Sequence, residues 1–148
     1  MIPTEELKRY EIFAEMDLTE LKLLSAMAAE RRAREGEELI RAGSPARNLY
    51  VLQKGGLMVA FPDGRAITLH KPGRVVGWSA LVSPTHYTAS VTCLTDSTLI
   101  AFPGNELLRL VQRNVAFGTK IMRKISEVLS RRLPFLQEKD KKLLRRRS

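Results

Sequence analysis

The fold is decided by residues 39–55, which read LIRAGSPARNLYVLQKG. The central run Asn48–Lys54 is rich in Leu, Tyr and Val, a composition typical of a buried strand. Gly55-Gly56 follows this run at once, and glycine supplies the positive φ that a tight hairpin needs. We therefore expect a strand that turns back on itself, as in an antiparallel sheet.

Similar short runs continue on both sides of this stretch and are separated by Gly, Pro and Asp. Pro62-Asp63-Gly64 has the composition of a second hairpin turn. The predicted strands are Glu38–Arg41, Asn48–Lys54, Leu57–Phe61, Ala66–Leu69, Tyr87–Leu94 and Thr98–Phe102. Their spacing predicts a compact antiparallel roll or barrel.

Helical patterns flank the strands. Residues 4–34 predict two short helices, with Thr19 as the N-cap of the second. A short helix is expected at 107–111, followed by a longer one that Asn114 caps and that ends near Leu133. The apolar stripe of the longer helix consists of Ile121, Met122, Ile125, Val128, Leu129 and Leu133. This stripe is wide enough to cover the roll and to contact a second copy, whereas packing on its own roll alone is the other interpretation.

The charge of the chain is concentrated at its C-terminal end. The 148 residues include 25 Lys and Arg against 16 Asp and Glu. Residues 1–119 carry 14 basic and 13 acidic side chains, whereas residues 120–148 carry 11 and 3. This split argues against nucleic-acid binding over the whole surface. The basic tail is interpreted either as a solvated terminus or as a non-specific contact for phosphate backbones or an anionic membrane surface.

Several protein classes are disfavoured by what the sequence lacks. Cys93 is the single cysteine, which excludes an internal disulfide and favours a reducing, cytoplasmic setting. No secretion signal or window of about 18 apolar residues is found, so no membrane span is expected. Residues 77–81 place Leu81 where a hydrolase nucleophile elbow needs glycine, and His70 and His86 alone cannot complete a zinc site. We expect a protein that is not an enzyme.

Two stretches carry a family resemblance. The first departs from the family pattern at Ser44 and matches it at Leu39-Ile40, Gly43, Ala46, Leu49–Leu52 and Gly55. The second consists of Val76-Gly77, Ala80-Leu81, Thr88-Ala89, Val91 and Cys93. Over roughly residues 7–133 the chain resembles the cyclic nucleotide-binding domain, the ligand-sensing module of catabolite-activator-type transcription regulators, of the regulatory subunit of cyclic-AMP-dependent kinase and of cyclic-nucleotide-gated channels.

The resemblance implies an α+β fold: an antiparallel β-roll of the double-stranded β-helix or jelly-roll type, flanked by N-terminal helices and a long C-terminal lid helix. The domain is expected at residues 1–133, with a basic C-terminal tail at 134–148. The resemblance also implies a phosphate-binding cassette for a small-molecule ligand such as cAMP or cGMP. Its positions here are Gly77, Trp78, Ser79, Ala80, Leu81, Tyr87, Thr88 and Ala89. Backbone N–H groups of residues 78–81 would face the cyclic phosphate.

Two cassette positions depart from the family pattern. Trp78 stands where the family has a glutamate for the ribose, and Tyr87 stands where it has an arginine for the phosphate. Losing both contacts would weaken binding by roughly 3–6 kcal/mol, or about 10²- to 10⁴-fold. Three interpretations stay open: the rings fill a dead pocket, they stack on a different flat ligand, or cyclic nucleotide binds through amides, Ser79, Thr88 and a relocated Arg74 or Arg65.

The resemblance assigns the output to the long helix, which closes over the ligand through Ile125, Leu129 and Leu133 and passes occupancy to an unidentified partner protein. A homodimer through residues 118–133 is a further expectation. Because the chain stops at Ser148, a specific DNA-binding domain is not expected within it. We therefore predict a ligand-sensing regulatory module; the alternative is a degenerate, ligand-free domain with a structural or protein-interaction role.

Overall fold

The computed structural model of the chain describes residues 2–81 and 86–132, with side chains as far as Val128. The helices are α1 (Thr4–Arg9), α2 (Leu18–Met27), α3 (Gly104–Arg113) and α4 (Val115–Arg132), with 3-10 helices at Glu11–Phe13 and Trp78–Leu81. The strands are β1 (Ala29–Ala33), β2 (Glu38–Ile40), β3 (Asn48–Lys54), β4 (Leu57–Ala60), β5 (Ala66–Leu69), β6 (Val75–Val76), β7 (Ser90–Cys93) and β8 (Ser97–Pro103). No helix within these ranges is both long and apolar enough to cross a membrane.

The strands form two four-stranded antiparallel sheets, in the orders β1-β8-β3-β6 and β2-β7-β4-β5. Apolar side chains from both sheets meet in one cluster, the roll interior. Strand β3 is buried on both faces: Tyr50 and Leu52 lie in the roll interior, whereas Leu49 and Val51 lie in a second cluster beneath the helices. This arrangement explains why its apolar run is continuous rather than alternating.

The second cluster, called here the helix layer, joins the outer face of β3 and β8 to the helices. The rings of Phe13 and Phe102 pack edge to face, with centroids 5.3 Å apart. From α4, Phe117, Ile121 and Ile125 are buried in this layer. The β-roll with flanking helices is therefore confirmed, and the apolar face of α4 packs on α3 and the N-terminal helices.

The packing of α4 changes one assignment from the sequence. Ile125 was expected to contact a ligand as part of a lid, but its side chain is buried in the helix layer rather than in the roll interior. Leu133 and the tail at 134–148 lie outside the described residues, as does the side chain of Leu129.

The helical prediction for residues 4–34 is wrong at its C-terminal end. Residues 29–33 form β1, which pairs with β8 from Ala29 opposite Ala101 to Ala33 opposite Ser97. The N-cap of α2 is Asp17 rather than Thr19, because Asp17 Oδ1 accepts the Glu20 N–H at 2.8 Å while Glu20 Oε1 accepts the Asp17 N–H at 2.9 Å. This reciprocal capping box satisfies two helix-end donors at once.

The boundaries of the other elements agree with the prediction or enclose a shorter segment. Asn114 caps α4 as expected, since its Oδ1 accepts the Phe117 N–H at 3.0 Å. The strand predicted from Tyr87 begins only at Ser90, and the two-residue strand β6 was not predicted. Both differences fall around the cassette, where the chain makes irregular contacts.

Candidate functional site

The fold brings together the two stretches that carry the family resemblance. The Gly43 N–H donates to the Tyr87 carbonyl at 2.8 Å, and the Tyr87 N–H donates to the Ser44 carbonyl at 2.9 Å. Beside them, Pro45 and His86 form an isolated antiparallel bridge. The loop between β2 and β3 therefore lies beside Tyr87, in the C-terminal part of the cassette.

Gly77 marks the point where β6 ends and the 3-10 helix Trp78–Leu81, called here the cassette helix, begins. Its φ of +82° lies in the left-handed region, and a Cβ there would come within 2.7 Å of the Asn48 carbonyl oxygen. Ile40 Cδ1 and Tyr87 Cε1 would each lie 3.2 Å from that Cβ. Glycine is therefore required both by backbone conformation and by close approach to β3.

Tyr87 is fixed to β3 by its side chain. Its hydroxyl donates to the Asn48 carbonyl at 2.7 Å and accepts from the Asn48 N–H at 3.1 Å. Burial raises the pKa of this phenol, so the group stays neutral over the physiological range. The position where the family resemblance expects a cation therefore holds an uncharged hydroxyl that bonds to the protein's own main chain.

Trp78 lies on the other side of the sheet. The side chain is half-buried and packs against the helix layer, and Leu81 of the same turn is buried there too. Ala80 instead lies in the roll interior with Tyr87. The two aromatic departures from the family pattern therefore belong to different clusters and act on different parts of the fold.

The remaining cassette positions differ in exposure. Ser79 and Ala89 are half-buried, and Thr88 is exposed. Within the cassette helix, the Ala80 N–H donates to the Gly77 carbonyl at 3.1 Å. The Ala80 N–H, which was expected to face a phosphate, is therefore already used to close the turn.

The two arginines considered as relocated cations have different surroundings. Arg65 Nε lies 2.9 Å from Asp63 Oδ2, so its guanidinium is paired within the β4–β5 turn. The main chain of Arg74 lies beside β3, where its carbonyl accepts the Leu52 N–H at 2.8 Å. The side chain of Arg74 is half-buried, and its role as a relocated cation stays a prediction.

Asn48 is a site residue that the sequence did not single out. In the β3–β8 register it lies opposite Pro103, which has no N–H to donate. The main-chain groups of Asn48 point to the other edge of β3, beyond the end of β6, where its N–H and its carbonyl both bond to the Tyr87 hydroxyl. No local sequence signal pointed to Asn48, because its role depends on a contact with a residue 39 positions away.

A family model described as "Cyclic nucleotide-binding domain" matches residues 30–114, more than half of the chain. The chain therefore belongs to the cyclic nucleotide-binding domain family. The match spans both stretches that meet at Gly77 and Tyr87.

Solved structures agree with this assignment. A protein of Geobacter metallireducens assigned to the cyclic nucleotide-binding proteins is 27% identical, with a TM-score of 0.82, over 90% of this chain and 99% of that chain. The N-terminal domain of a transcriptional regulator from Streptomyces coelicolor is 26% identical, with a TM-score of 0.64, over 89% of this chain and 97% of that one.

A curated relative, glutaminase 2 of Bradyrhizobium diazoefficiens, is 28% identical over 122 residues. The match covers 82% of this chain but 19% of that protein, so the chain spans about a fifth of the relative's length.

Proposed function

We propose that this domain is a non-enzymatic regulatory module that binds a cyclic nucleotide weakly, or a related small ligand, at the cassette and signals through α4. The observation that carries the proposal is the junction of Gly77, Asn48 and Tyr87. The cassette turn approaches β3 as closely as only glycine allows, while the neighbouring side chain is a neutral phenol.

The same junction accounts for weak binding. A phosphate is held best by charge-assisted hydrogen bonds, and an arginine provides two in parallel. Tyr87 offers no charge, and its only O–H donor is already used by the Asn48 carbonyl. An anionic ligand would depend on cassette amides, on Ser79 and Thr88, and on Arg74, so we place cAMP or cGMP affinity well below that of a site with the family arginine.

A second candidate function is a ligand-free domain that serves as a structural or protein-interaction module. The observation that favours it is the burial of Tyr87 in the roll interior, with a relative exposure of 9%, beside Ile40 and Ala80. A ring in that position occupies volume next to Gly77 that a ligand would otherwise enter.

A ligand titration distinguishes the two candidates. We expect cAMP or cGMP at millimolar concentration to raise the melting temperature of the wild type, and Tyr87→Arg to bind more than tenfold tighter by calorimetry. Tyr87→Phe is the control, because it removes the same hydroxyl without adding a charge. Absence of any ligand-dependent shift in the wild type and in Tyr87→Arg would leave the ligand-free module as the function.

The Trp78→Glu variant has to be compared with its own unliganded form in this experiment. Because Trp78 packs against the helix layer, replacing it removes apolar contacts as well as adding a carboxylate. Its affinity is to be compared only after the unliganded variant is shown to be folded. A folded Trp78→Glu, Tyr87→Arg double variant is expected to exceed Tyr87→Arg in affinity.

We further propose a homodimer through α4. Val115, Thr119 and Ser126 are exposed along α4, whereas Met122 packs partly against the helix layer and Ile125 is buried in it. Sedimentation of the wild type is expected to show a dimer, and Val115→Asp a folded monomer, because the Val115 side chain is 81% exposed. A wild-type monomer would end this proposal.

The output of the module is proposed to reach another protein through α4. Cys93 is a buried free thiol, in keeping with the cytoplasmic location that we propose. The Streptomyces relative is a domain of a transcriptional regulator, and a comparable regulatory role is what we propose for this domain.

A further inference from the structure

Three cations on one side of α4 reach toward the N-terminal helices. Lys120 Nζ lies 2.7 Å from Glu20 Oε1. Arg123 pairs with Glu15, and Lys124 Nζ lies 3.7 Å from the other oxygen of the same carboxylate. Lys120, Arg123 and Lys124 stand at positions i, i+3 and i+4, so they share one helix face.

Of these pairs, the one at Glu20 has a buried carboxylate, although the Lys120 side chain is 27% exposed. The Glu20 side chain is 4% exposed, whereas that of Glu15 is 43% exposed. Glu20 Oε1 also accepts the Asp17 N–H at 2.9 Å, so one oxygen caps α2 and binds Lys120. The hydrogen bond to Glu20 raises the pKa of Lys120.

A buried carboxylate has to stay paired with the cation that neutralises it. Taking an ion out of water is unfavourable, and removing the partner of a buried charge leaves its lost hydration uncompensated. The exposed pairs at Glu15 contribute little by comparison, because water screens them. Phe117 and Ile121 flank Lys120 on α4 and are fully buried in the helix layer, so the ion pair lies beside an apolar contact.

We propose that the Glu20–Lys120 pair is a lock that fixes α4 against the N-terminal helices. Helix α4 cannot leave its place unless Glu20 is exposed to water or receives another cation. Because the same carboxylate caps α2, release of α4 also loosens the first turn of α2. This lock acts on the output helix and does not depend on which ligand, if any, the cassette binds.

Hydrogen exchange measured by mass spectrometry tests the lock in the intact protein. Lys120→Met removes the cation but keeps an unbranched side chain. We expect exchange of amides in 17–24 and 115–128 to become about tenfold faster or more, while amides in β3 and β8 keep their wild-type rates. Arg123→Met is the matched control on the same helix face, and its effect is expected to stay within about threefold.

A second variant tests whether the faster exchange comes from the unpaired charge of Glu20 or only from the loss of a side-chain contact. Glu20→Gln retains an oxygen that can cap Asp17 but removes the buried charge. Combined with Lys120→Met, it is expected to restore slower exchange than Lys120→Met alone. The proposal is overturned if Lys120→Met leaves α4 exchange within threefold of the wild type, if it accelerates β3 and β8 equally, or if Glu20→Gln gives no rescue.

Discussion

At the scale of single residues, the cassette depends on what surrounds Asn48. The strand β6 ends at Val76, opposite Tyr50, and the chain then turns away at Gly77. The Tyr87 hydroxyl supplies both a donor and an acceptor to the Asn48 main chain. A family position normally used for a ligand therefore contributes here to the stability of the protein itself.

Tyr87→Phe measures that contribution. The change removes one hydroxyl and leaves the N–H and carbonyl of Asn48 without their present partner, so we expect a loss of about 1–3 kcal/mol in the free energy of unfolding. Urea unfolding followed by circular dichroism gives this value. Tyr50→Phe is the control, because among the described residues the Tyr50 hydroxyl makes only a long contact of 3.4 Å, with Asn48 Nδ2. Equal losses in the two variants would contradict the role given to Tyr87.

Gly77→Ala tests the close approach of the cassette to β3. An added Cβ would stand 2.7 Å from the Asn48 carbonyl oxygen in a left-handed backbone conformation, whereas at Gly64 no atom lies within 4 Å. We expect Gly64→Ala to cost about 1 kcal/mol for its φ of +92° alone, and Gly77→Ala to cost clearly more. Thermal unfolding of the two variants compares them, and a Gly77→Ala no less stable than Gly64→Ala would refute the argument.

At the scale of elements, α2 begins at a capping box and not at the threonine that the sequence suggested. Asp17→Ala is expected to destabilise the protein by about 1 kcal/mol, because it removes the acceptor of the Glu20 N–H. Thr19→Ala is the matched control two residues further along the chain, and it is expected to change stability by less than about 0.5 kcal/mol. Chemical unfolding of both variants decides between the two caps.

Elements with a strong local pattern were predictable. The bounds of β3 and β5 agree with the sequence prediction. For β3 the reason is its continuous apolar run, which is typical of a buried strand, whereas β5 is mostly exposed and was bounded by the turn residues before it. Strand β1 was missed because Glu30, Arg31 and Arg32 are exposed and give no apolar alternation. Only its pairing with β8 makes it a strand, and such pairing cannot be read from five residues.

The same distinction applies to the site. The sequence predicted the cassette and the replacement of two polar side chains by aromatic ones. It did not show that Trp78 and Tyr87 lie in different clusters, or that Tyr87 bonds to a residue 39 positions away. Side-chain direction at an irregular turn depends on tertiary contacts, which periodicity does not encode.

At the scale of the whole molecule, two apolar clusters share the sheet β1-β8-β3-β6. The roll interior contains Tyr87 and Ala80, whereas the helix layer contains Trp78, Leu81 and the buried face of α4. The cassette helix therefore contributes side chains to both clusters. A ligand that moved this short helix would act directly on the layer that holds α4, which is the physical basis of the proposed output.

Protein-observed nuclear magnetic resonance with cAMP, repeated with cGMP, tests the central claim most directly. The proposal predicts saturable shifts in amides of residues 77–81 and 87–89. The expected dissociation constant is about 0.1–10 mM, the range reached when a micromolar site loses its two charged contacts. The absence of concentration-dependent shifts at the cassette with either nucleotide up to about 10 mM, or shifts confined to other parts of the chain, would contradict it.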